Sequence, residues 1–184
     1  MKKISKNQYN GRTTHYIAIS GMTLALCLLS LLMFRGPLSI LQALIIPIVI
    51  VTMAIKQPWK YTFAAGISLL ILTLAFFLTQ TVFIIIYLLM AVFLMILVTN
   101  IHRESHRSYF LMIPYAIINA ILLFLGLKLT DMIFQTPLHL MMLKLSGGNN
   151  FLYAAIMMIE SAFISIFHLL IALNVSRRQA RINR

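Results

Sequence analysis

Apolar residues run along this chain in blocks of about twenty, parted by short clusters of basic and polar residues. A helix of ~20 apolar residues crosses the ~30 Å hydrocarbon core of a bilayer. Six such blocks can be drawn. The first covers 16–34 and the second 37–55, which ends at Lys56-Gln57-Pro58-Trp59-Lys60. From 61 to 101 there is no charged residue. That run is too long for one span, so it predicts two helices turning at Thr79-Gln80-Thr81. The fifth block covers 109–127 and the sixth 151–175. The expected fold is all-α: a polytopic membrane helical bundle of about six transmembrane helices. It forms a single transmembrane domain, 1–184, with basic tails at 1–14 and 176–184.

Loops are short except for 128–150, between the last two spans. Thr136 suits a helix cap there and Pro137 the first helical position. Leu138, Met141, Met142 and Leu145 follow at i, i+3, i+4 and i+7, which makes one apolar face. Gly147 and Gly148 can end the helix. A segment this short cannot cross a membrane. It should lie at the interface or fold over the mouth of the bundle.

Composition strengthens the membrane reading. The chain is 61% apolar and 10% charged, where a soluble domain runs nearer half and a quarter. That gap excludes a water-soluble globule or a disordered tail. The net charge of +12 raises nucleic acid as a partner. The basic residues sit between apolar blocks, however, and not along one face of a soluble fold, so no nucleic-acid partner is expected. They also orient the bundle. Lys2, Lys3, Lys6, Arg12, Lys56, Lys60, Arg103, Arg107, Arg177, Arg178, Arg181 and Arg184 fall on one side; Arg35, Lys128 and Lys144 fall on the other. Basic loops stay cytoplasmic, so both termini should be cytoplasmic and the protein should sit in the cell membrane. Tyr16, Trp59, Tyr61 and Tyr109 lie at expected cytoplasmic boundaries and Tyr153 at an outer one. The first block is too long for a signal-peptide core, and no small-x-small cleavage site follows it, so it should be a retained span.

Few residues inside the spans carry chemistry. Glu160 is the only acid within a predicted span. A carboxylate there is costly, which points to a ligand contact, an ion site or a proton relay. The alternative is a neutral Glu160 bonded to a neighbouring helix, with Asn119 as partner. On the same helix Ser161, Ser165 and His168 stand at i, i+4 and i+7 and form one polar stripe. It is either a pocket wall or an interhelical packing seam, with the serines favouring the seam and His168 placed to bond a backbone carbonyl. Met157 and Met158 lie beside Glu160. His102 and His106 share a helical face, but the order His-Arg-Glu-Ser-His is not a zinc-protease motif, and Arg103 and Arg107 disfavour a cation. No metal is expected. Arg35 suits a lipid headgroup. Cys27, the one cysteine, lies inside an apolar block and cannot form a disulfide within the chain. Ala18, Gly21 and Ala25 give the first span a small-residue face, either for internal packing or for docking a partner. No phosphate-binding glycine loop, serine-hydrolase elbow or zincin motif occurs. With three acids in all, a two-metal or acidic-dyad enzyme is nearly excluded. No cofactor and no catalytic residue is assigned.

Six short spans, internal termini, basic tails and the small-residue face resemble a substrate-binding S component of an energy-coupling factor (ECF) transporter. In that family an Ala-x-x-x-Ala pattern on the first helix docks a membrane coupling subunit, and Gly21-Met22-Thr23-Leu24-Ala25 is the nearest match, with Ala18 on the same face. The resemblance implies a non-enzymatic capture subunit for a small molecule such as a vitamin. It would work with a coupling subunit and cytoplasmic ATPases. Its ligand-binding residues would be Glu160, Ser161, Tyr153, Asn119 and Met157, and Leu138, Met141, Met142 and Leu145 would form a lid. The rival expectation is a non-catalytic membrane scaffold of a cell-envelope complex.

Overall fold

The computed structural model describes residues 6–34, 40–103 and 108–182. Seven α-helices follow one another among them: α1 Lys6–Met33, α2 Ile40–Lys56, α3 Trp59–Phe76, α4 Thr81–Arg103, α5 Met112–Phe134, α6 Leu138–Leu145 and α7 Asn150–Ile182. Short 3-10 turns at Leu78–Gln80 and Ser108–Leu111 lead into α4 and α5. Five helices (α1, α3, α4, α5 and α7) are long and apolar enough to cross a membrane. The chain reads as a helical membrane protein. Arg35, Glu104 and His106 lie outside the described residues, as does the side chain of His102.

The second block is the exception in length. At 17 residues, α2 spans roughly 25 Å, short of the ~30 Å core. It is also the central helix, packed against α1, α3, α4 and α7. From 41 to 55 none of its residues is exposed. A helix apolar all round belongs inside a bundle, and one enclosed by other helices need not match the bilayer thickness itself. Gln42 and Gln57, near its two ends, are both buried. The Gln42 side-chain amide donates to the Phe34 carbonyl past the end of α1, and that of Gln57 donates to the Ser20 hydroxyl at 3.2 Å. These two bonds fix α2 antiparallel along α1.

Pro47 lies inside α2. Proline has no N–H, so the carbonyl four residues earlier, that of Ala43, loses its helical donor. In a bilayer no water replaces it. His168 of α7 does, with Nε2 at 3.1 Å from the Ala43 oxygen and 3.1 Å from the Leu44 oxygen. Carbonyls only accept, so Nε2 carries the proton and Nδ1 is the acceptor. The Tyr115 hydroxyl of α5, 2.8 Å away, therefore donates to Nδ1. One fully buried imidazole thus joins three helices.

Several boundaries differ from expectation. α5 continues to Phe134, so Lys128 and Asp131 are helical and the loop begins at Gln135, which is left-handed with φ 53°. α1 begins at Lys6 and α7 runs to Ile182, so helix extends into both basic tails. Tyr153, in the first turn of α7, is covered by protein.

His168→Leu should destabilise the protein in detergent by about 2 kcal/mol, because it strands the Ala43 carbonyl and the Tyr115 hydroxyl. Pro47→Ala restores an N–H for that carbonyl. In the Pro47→Ala background the loss should fall to about 1 kcal/mol. A thermal-unfolding double-mutant cycle measures it, and strict additivity would refute the coupling.

Candidate functional site

The α5–α7 seam carries a connected run of buried polar side chains. Above the His168–Tyr115 pair, the Asn119 side-chain amide donates to the Ser165 hydroxyl at 2.9 Å. Ser165 in turn donates to the Ser161 carbonyl at 2.7 Å. Asn119, Ser161 and Ser165 are fully buried. Two polar atoms in this cluster have no hydrogen-bond partner: Asn119 Oδ1 and Ser161 Oγ. Each such atom buried in a low-dielectric interior costs roughly 1–3 kcal/mol.

Glu160 is half-buried beside Ser161. Asn119 is not its partner, being bonded to Ser165. Met157 is buried one turn before Ser161. The structure therefore gathers Ser161, Asn119, Met157 and Tyr153 on the inward side of the α5–α7 seam, with Glu160 at its margin.

A cap lies over the Tyr153 end of this seam. Helix α6 packs on α5 and α7. Its N-terminus is held from a distance. Asp131, on the last turn of α5, accepts from the Leu138 N–H at 2.9 Å and the His139 N–H at 2.8 Å. Thr136, the expected cap, instead donates its hydroxyl to the same carboxylate at 2.9 Å. A carboxylate at a helix N-terminus satisfies free N–H groups and complements the helix dipole. The other end closes at Gly147 and Gly148, whose φ values of 66° and 74° suit glycine. The Gly148 N–H returns to the Leu143 carbonyl at 2.9 Å, the closure of a Schellman turn.

Between these ends, His139 is stacked edge-on against Tyr153 and Phe124, at 5.2 and 5.7 Å between ring centres. His139 Nδ1 and the Tyr153 hydroxyl are 3.2 Å apart, and the Lys128 ammonium lies 5.8 Å from the Phe124 ring centre. The face turned to the bundle is made by the half-buried Leu138, His139, Met142 and Leu143. Met141 and Leu145, expected on that face, are 56% and 81% exposed. The Asp131 clamp rotates the helix so that Leu143 replaces them.

The small-residue face of α1 also has a definite position. Ala18, Gly21 and Ala25 are all exposed, and a Cβ built on Gly21 meets nothing within 4 Å. The packed face of α1 is Thr23, Cys27, Ser30 and Leu31. Internal packing is therefore not the role of the stripe.

Sequence reasoning missed Asp131, Tyr115 and Pro47. Two of them left a signal: an acid shortly before a Thr-Pro helix start, and a proline mid-span that frees a carbonyl for a buried donor. Compared with known proteins, the chain matches no family model, no curated protein and no solved structure.

Asp131→Ala removes the acceptor for three donors. Amide exchange across residues 138–145 should accelerate roughly fivefold, the size of a lost helix cap, while α7 exchange stays unchanged. Unaltered α6 protection would show that apolar packing alone holds the cap.

Proposed function

We propose that this chain is a membrane-embedded substrate-capture subunit, S-component-like. It takes up a small molecule together with a separate coupling subunit and cytoplasmic ATPases. The observation that carries the reading is the pair of buried, unpartnered polar atoms, Asn119 Oδ1 and Ser161 Oγ, beside the Glu160 carboxylate and beneath α6. Six other buried side-chain atoms among the described residues also lack partners; this pair is set apart because both residues meet Ser165 on one seam, where a polar ligand supplies the missing partners. Glu160 and Tyr153 form the edge of that site, and Met157 its apolar wall. Helix α6, held at one end by Asp131, is the lid.

The reading also assigns α2 as a sixth span and both termini to the cytoplasm, on the charge bias of the loops. The exposed Ala18, Gly21 and Ala25 face serves as the docking surface for the coupling subunit, because small residues let helix backbones approach closely. Differential ligand binding between the free and docked states would drive release. The scaffold alternative draws on the same α1 face and needs no ligand.

Gentle purification followed by mass spectrometry decides between them. A coupling subunit, two ATPases and a small molecule are expected to co-purify, and the small molecule should be lost in Glu160→Ala. Gly21→Leu should release the coupling subunit without lowering thermal stability, since open space lies beyond Gly21. Recovery of envelope-assembly proteins with no small molecule would overturn the capture reading in favour of the scaffold.

A further inference from the structure

A wide opening lies away from the α5–α7 seam. It is a groove of about 400 Å³ between α3 and α4, with α2 as its floor. That volume falls within the range of small-ligand sites. Val51 and Ala54 form the floor, Trp59 and Phe63 one wall, and Leu88 and Met95 the other. Along α3 the lining runs from Trp59 to Leu70, which is roughly 16 Å of helix. That is about half of a ~30 Å hydrocarbon core, the depth of one leaflet.

The groove is apolar along its length and polar at one end. Its closed course lies between the middles of α3 and α4, where Gly66 and Leu88 face each other. Its other end reaches Trp59, in the link Lys56-Gln57-Pro58-Trp59-Lys60 between α2 and α3. Lys56 and Lys60 are exposed there, and Trp59 is 76% exposed. The Lys60 ammonium lies 5.1 Å from the Tyr61 ring centre. One turn into the groove from Trp59, the Thr62 hydroxyl is buried in the wall and has no hydrogen-bond partner. From the α2–α3 link inward, two cations and an interfacial indole stand at the mouth, then a lone hydroxyl, then an apolar trough.

We propose that this groove binds one anionic glycerophospholipid. One acyl chain lies in the trough, a glycerol ester carbonyl accepts from Thr62, and the phosphate is held by Lys56 and Lys60. Each part of the lipid meets the group it needs at the depth it occupies. Lysines at a membrane surface attract anionic headgroups, and tryptophan sits at headgroup level. A neutral lipid fills the trough equally well and loses only the lysine contribution, so the preference for anionic lipid is what the site adds. This inference is independent of the capture function.

Trp59 is the only tryptophan in the chain, so it reports on its own groove. The full chain is reconstituted in vesicles of equal phosphatidylglycerol and phosphatidylcholine, with bromine on the acyl chains of one lipid and then of the other. Bromine quenches indole fluorescence on contact. Brominated phosphatidylglycerol should quench Trp59 more than its share of the bilayer, and the preference should weaken at high salt. Lys56→Gln and Lys60→Gln should each lower the preference, by about fivefold per lysine at most. Gly66→Leu is tolerable at Cβ, whose nearest neighbour would be Leu88 at 3.5 Å, and its side chain should fill the trough and cut quenching by both lipids. Helix content by circular dichroism checks that each variant is folded. Equal quenching by the two lipids in the unaltered chain overturns the proposal, as does a preference that survives both lysine substitutions. Quenching that falls as protein is added at fixed lipid also overturns it, because a second copy then occupies the groove.

Discussion

A backbone carbonyl inside a membrane must find a donor within the protein, and the arrangement of this bundle follows from one that lost its own. Pro47 removes the N–H that would serve Ala43, and His168 supplies another from α7. That bond requires a proton on Nε2, which in the neutral ring leaves Nδ1 to accept from the Tyr115 hydroxyl. The tautomer is therefore set by a proline on a different helix. α2, α5 and α7 converge on this point, and the polar ladder of Ser165, Asn119 and Ser161 is built outward from it. α4 closes the remaining side of α2.

The two ends of the α5–α7 seam are built on contrasting terms. At His168 every polar atom of the ring is engaged. Toward Tyr153, Asn119 Oδ1 and Ser161 Oγ are buried without partners, and at the Tyr153 end of the seam the eight-residue α6 is fastened by one carboxylate, a small aromatic cluster and its apolar face. α6 packs mostly on α5, so release of the Asp131 clamp would leave α2 and its contacts in place.

Much of the architecture was legible because helices in lipid demand long apolar runs. The turn between α3 and α4 could be placed from Thr79-Gln80-Thr81, and α6 from Pro137 and the glycine pair. The end of α5 was not legible. Lys128 and Asp131 break the apolar run and read as loop, yet the helix continues because Thr130 packs inward while Asp131 reaches α6. The inward face of α6 was misjudged for the same reason. Periodicity finds the most apolar stripe, whereas the clamp at its N-terminus decides which stripe turns to the bundle. The polar residues of α7 were visible as a stripe, but their partners depend on which helices meet, and spacing within one helix carries no such information. α2 looked like an ordinary span, since neither its short helix nor its central position is written in its hydropathy.

The bond between His168 and Ala43 joins residues 125 positions apart. A ribosome adding about 5–20 residues per second delivers His168 roughly 6–25 s after Ala43. For all of that time α2 is in or near the membrane with a carbonyl that its own helix cannot serve. The central helix of the finished bundle is thus among the first made and the last to be completed. The nascent chain must be sheltered by the insertion machinery, or by water at the membrane surface, until its seventh helix arrives.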